Sequence, residues 1–118
     1  MNSEGGNSKI DIDAISQELH VRPEVLKRII ASFSKTLTEK VINLEHALMK
    51  SDVVGMRALL HEIRGTSGNL RLTKVYSAAL DLHEAVKANA EREKLSQYLS
   101  VLREHSAALD EFIIKGAM

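Results

Sequence analysis

Residues 61–70 read HEIRGTSGNL, which places one histidine, one arginine and two glycines in ten positions. Gly65 and Gly68 stand four and seven residues after His61. Local propensity allows a helix to end here, with Gly65 as a C-terminal cap and Gly68-Asn69 as a turn. The flanking apolar residues allow another reading. Met56, Leu59, Ile63 and Leu70 keep helical spacing across both glycines, although only Leu70 carries the pattern beyond them. The fold and the function of the chain depend on which reading holds.

A continuous helix gives a definite geometry. At about 100° per residue, with His61 at zero, Leu59, Ile63, Thr66 and Leu70 fall at roughly 140–200° and Met56 at roughly 220°. These positions form the expected buried face, and His61 points away from it. Val54, Arg57, Ala58, Arg64, Gly65 and Gly68 all fall within about 60° of His61. Each glycine inside a helix costs about 1 kcal/mol relative to alanine. Two of them on an exposed face clear space for the backbone of a partner. Arg64, three residues on from the histidine, is within reach of an anion held by the imidazole.

Working outward, Ser51-Asp52 offers a cap for the start of this segment. The segment before it is long. Leu26, Ile30, Phe33, Leu37, Val41, Leu44 and Leu48 alternate steps of four and three, and Pro23 suits its first turn. A short leading helix is expected between Asp11 and Leu19. Downstream, a helix starts near Thr73, a plausible N-cap, with Val75, Ala79, Leu82 and Val86 on one face. A last helix carries Leu95, Leu99, Leu102, Ser106, Leu109 and Ile113 and ends at Gly116. The spacing predicts an all-α domain over residues 10–118. It is an antiparallel up-down-up-down four-helix bundle with a short extra N-terminal helix, preceded by a disordered polar tail over residues 1–9.

Composition narrows the function. The chain has 118 residues, with 16 Lys+Arg balanced by 16 Asp+Glu. That balance gives no support for binding nucleic acid or an anionic membrane through bulk charge. There is no cysteine. Thiolate metal sites, disulfides and cysteine nucleophiles are excluded, and a reducing, cytoplasmic setting fits. No apolar run approaches the ~18 residues of a membrane helix, and no signal peptide is evident. His20, His46, His83 and His105 share no metal-ligand spacing, so surface or partly buried structural roles are expected.

HEIRGTSGNL closely resembles the motif of histidine-containing phosphotransfer (HPt) domains, roughly H-x-L-K-G-[ST]-[AS]-x-x-[LIV]-G-A. His61, Ile63, Arg64, Gly65, Thr66, Ser67 and Leu70 occupy its defining positions. Weaker likeness extends through "IDIDAISQEL", the helix containing Phe33 and "AALDLHEAV". Arg64 replaces the usual lysine, and Arg71 stands where the family often has glycine. "HEIR" also resembles the start of the H-box of sensor histidine kinases, but no Thr-Pro follows. The chain is also too short to add an ATP-binding domain.

The HPt resemblance implies a phosphoryl carrier rather than an autonomous kinase. His61 would accept a phosphoryl group from a receiver-domain phospho-aspartate through Nε2 of the neutral ring and pass it to another receiver. Arg64 would neutralise the phosphoryl oxygens. Gly65 and Gly68 would admit the partner's loops, Val54 and Ala58 would give flat apolar contact, and Arg57 and Arg71 would form the rim. The expected partners are response-regulator receiver domains and a sensor or hybrid histidine kinase, with the protein itself a monomer. No cofactor of its own is expected; Mg²⁺ would come on the receiver. The Met1 start and polar tail favour a free-standing protein. The competing reading is a helical adaptor that binds signalling proteins without phosphotransfer.

Overall fold

The computed structural model describes residues 10–116; the expected disordered tail lies outside the described residues. Those described hold five helices and no strand. The helices are α1 (Ile12–Leu19), α2 (Pro23–Met49), α3 (Val53–Asn69), α4 (Thr73–Lys87) and α5 (Arg92–Ile114).

Local chemistry sets most of these boundaries. Asp11 caps α1, its side chain accepting from the Ala14 N–H at 3.0 Å. Pro23 opens α2, where its missing N–H leaves no helical bond unmade. Asp52 caps α3 by accepting from the Gly55 N–H at 2.9 Å. Thr73 is the first residue of α4 rather than its cap; Leu72 holds the cap position and no side chain bonds there. Gly116, at φ 70°, follows the end of α5.

Each long helix packs against two others: α2 on α3 and α5, α4 on α3 and α5. α1 lies against α2. The four apolar stripes therefore meet in one core. Leu26, Ile30, Leu37 and Leu44 of α2 face Met56, Leu60 and Ile63 of α3, Leu82 of α4 and Leu102 of α5, all almost fully buried. Each such side chain contributes roughly 1.5–3 kcal/mol of burial. With only two phenylalanines and no tryptophan, the core relies on many aliphatic contacts.

The buried face of α3 differs from the sequence expectation. Leu60, not Leu59, is fully buried, and Ser67, not Thr66, enters the core. Leu59 is half-buried and Thr66 is exposed. The core therefore centres near 220° from His61 instead of 180°. Ser67 is tolerated because its Oγ donates to the Ile63 carbonyl at 2.6 Å.

Candidate functional site

α3 runs unbroken through HEIRGTSGNL to Asn69, so Gly65 is not its terminator. The helix ends one turn later. There the Arg71 N–H donates to the Gly68 carbonyl at 3.1 Å and the Leu72 N–H to the Ser67 carbonyl at 2.9 Å. This is the paired closure expected around a left-handed residue. Arg71 is that residue, at φ 59°.

His61 is exposed, on the side of α3 away from the core. The ~40° rotation of the core does not bring it inward. Its surroundings divide by flank. Toward α2, Glu62 is ion-paired with Lys40. The Lys40 hydrogen bond, and then its charge, hold the Glu62 carboxyl below the usual carboxylate range. Toward α4 lie Arg64 and Gly68. Val54, Arg57, Ala58 and Gly65 are all exposed along the His61 side, Val54 at 79 %. A Cβ built on Gly65 would meet nothing within 4 Å. The space beside the imidazole is open.

Gly68 is different. A Cβ there would stand 3.3 Å from Tyr76 Cδ1 of α4. This glycine lets α4 approach α3, and Tyr76 already covers the position expected to admit a partner's loops. The sequence reading missed Tyr76 because its contact is made between helices.

Arg64 also has a tertiary partner. It is half-buried, and its Nη1 lies 2.9 Å from His83 Nδ1 on α4. A guanidinium only donates, so Nδ1 accepts and the ring is neutral, with its proton on Nε2. Arg64 Nε is buried with no hydrogen-bond partner. His83, 7 % exposed, is pushed below the ordinary histidine pKa, first by burial and then by the Arg64, Lys87 and Arg57 charges. Its structural role was expected; its bond to the candidate phosphate-binding arginine was not. One signal was available: His83 falls between Ala79 and Val86 at steps of four and three, on the edge of the apolar stripe.

Arg71 turns back on its own helix. Its Nη1 donates to the carbonyls of Gly68 at 3.1 Å and Asn69 at 3.2 Å, and its Nε pairs with Glu18 of α1 at 3.0 Å. The expected rim cation is thus occupied in joining the end of α3 to α1. Among the described residues, no group of three or more His, Asp or Glu could hold a metal ion, and no helix is long and apolar enough to cross a membrane.

The site therefore brings together an exposed histidine, a glycine-cleared face and an arginine one turn on. The chain matches no curated protein and no solved structure. The profile of the Hpt domain matches residues 28–112, a span that runs from the second turn of α2 almost to the end of α5 and includes the whole of HEIRGTSGNL. The chain belongs to the Hpt domain family, which implies phosphotransfer in two-component signalling.

Proposed function

We propose that this chain is a phosphoryl carrier and that His61 is its acceptor. The observation that carries the reading is the position of His61: exposed on α3, opposite the core, one turn from a glycine with open space around it. The donor is a receiver-domain phospho-aspartate. Neutral His61 attacks phosphorus through Nε2, the bond from phosphorus to the aspartate oxygen breaks, and the carboxylate leaves. The ring proton on Nδ1 passes to solvent. Transfer to a second receiver reverses these steps. Positioning and charge neutralisation govern such a transfer. Mg²⁺ arrives with the receiver, and Arg64 adds positive charge beside the phosphoryl oxygens.

The proposed docking face is Val54, Arg57, Ala58 and Gly65, with Gly68 beneath Tyr76 at its margin and Arg71 at its end. Receiver domains and a sensor or hybrid histidine kinase are the partners, and the protein acts as a cytoplasmic monomer. An antiparallel up-down-up-down course for α2–α5 belongs to the same proposal. It is supported by the three- and four-residue joins between successive long helices, which leave room only for a reversal.

Incubation with a phosphorylated receiver tests the reading. An acid-labile, base-stable phosphate is expected on the wild-type chain and absent from His61→Gln. Equal labelling of that variant would remove His61 from the mechanism.

A further inference from the structure

Arg64, the cation proposed to act on the phosphoryl group, has its side chain anchored by another helix. We propose that His83 is a positioning residue for phosphotransfer: its neutral Nδ1 holds the Arg64 guanidinium on the α4 side of His61, and protonation of His83 releases it. The inference rests on His61 being the acceptor.

Three observations carry it. The Arg64 Nη1–His83 Nδ1 distance is 2.9 Å, a hydrogen bond that only an unprotonated Nδ1 can accept. His83 is buried on α4, so its ring is a fixed acceptor rather than a mobile one. Arg64 is half-buried with its Nε out of contact with solvent, so the side chain lies packed against the protein and does not extend freely from α3. A long arginine on an exposed helix face samples many rotamers. Here the anchored Nη1 restricts that sampling, while Nη2 makes no hydrogen bond among the described residues.

The anchor is sensitive to pH in one direction. The charges that act on the His83 ring are Arg64 and Arg57 from α3 and Lys87 and Glu84 from α4. Three of the four are cations. They oppose protonation, as burial does, and so keep the acceptor available at neutral pH. Once protonated, Nδ1 becomes a donor facing a guanidinium. The pair then repels, and Arg64 loses its anchor.

Two variants at position 83 separate the roles. His83→Gln retains a side-chain acceptor at every pH, whereas His83→Leu fills similar space without one. With a phosphorylated receiver at neutral pH, His83→Gln should accept phosphate at the wild-type rate. His83→Leu should slow acceptance roughly tenfold, the scale on which an orienting partner acts. The pH dependence of the transfer chemistry and of the receiver is common to wild type and His83→Gln, so the ratio of the wild-type rate to the His83→Gln rate isolates position 83. That ratio should fall as pH is lowered past the ordinary histidine pKa and through the depressed one of His83. Ring nitrogen NMR of the wild-type protein gives a readout independent of transfer, with Nδ1 of His83 expected unprotonated at neutral pH.

A His83→Leu protein that accepts phosphate as fast as wild type would overturn the proposal. So would a constant rate ratio between wild type and His83→Gln, or a proton on Nδ1 at neutral pH. Should His83→Leu fail to fold, the ratio and the NMR signal still decide. Labelling of His61→Gln would instead remove the acceptor assignment while leaving the NMR result on His83 intact.

Discussion

Arg71 shows how one residue can carry two opposing contributions. Its φ of 59° costs a side-chain-bearing residue about 1 kcal/mol or more relative to glycine. Its guanidinium returns stability by bonding the Gly68 and Asn69 carbonyls at the end of α3. The ion pair with Glu18 is exposed on both sides and adds little. Arg71→Ala keeps the strained backbone and loses the bonds, so it should be less stable than wild type by about 1 kcal/mol. Arg71→Gly loses the same bonds but relieves the strain, and should recover about 1 kcal/mol relative to the alanine variant. Urea denaturation of the three proteins checks this; equal stability of the alanine and glycine variants would defeat the backbone argument. The left-handed position also accounts physically for the glycine that the motif often places there. The substitution was legible in the sequence. Its hydrogen bonds were not, because they depend on where the chain turns after Asn69.

The helices were the most legible feature because their signals are local. Apolar steps of three and four marked α2 and α5, Pro23 and Asp52 marked two starts, and Leu70 carried α3 beyond its glycines. The rotation of α3 about its axis was harder to read. Leu59 and Leu60 are both leucine, and Thr66 and Ser67 both carry hydroxyls, so composition could not choose between adjacent faces. Packing against α2 and α4 made the choice. The Arg64–His83 bond was illegible for the same reason: it joins residues that meet only when α3 and α4 pack. That pairing couples the two helices to pH. His83 has a lower pKa folded than unfolded, where about 6.5 is expected. Below that value the unfolded chain binds more protons, so stability is complete above it. Stability then falls as pH drops through the window between the unfolded and folded pKa values. His83→Gln removes this contribution. Urea unfolding at pH 7.5 and about 5.5 should show a smaller loss on acidification for His83→Gln than for wild type. An equal loss in both would mean that the ring does not titrate differently on folding.

At the scale of the whole molecule, the core and the proposed docking face occupy separate sides of one helix. Leu60 and Ile63 are fully buried, while Ala58, His61 and Gly65 are exposed a few residues away. Stability and transfer should therefore be separable by substitution within two turns of α3. Gly65→Leu replaces a poor helix former with a good one where no neighbour lies within 4 Å of the added Cβ. It should stabilise the fold by about 0.5–1 kcal/mol. The same side chain would fill the cleared space beside His61 and hold a receiver away, slowing phosphate acceptance by at least roughly tenfold. Leu60→Ala should do the reverse. It opens a cavity in the core and costs about 2–5 kcal/mol, but leaves the face unchanged, so transfer per folded molecule is retained. Thermal unfolding and single-turnover labelling measured on both variants give four outcomes to compare. If Gly65→Leu accepts phosphate at the wild-type rate, the receiver does not approach across Gly65, and the clearance must serve another part of the helix surface. If Leu60→Ala loses transfer in proportion to its lost stability while still folded, the docking face is mechanically tied to the core. The lateral anchors of α3, through Lys40 on one flank and His83 on the other, would then be the structures that tie it.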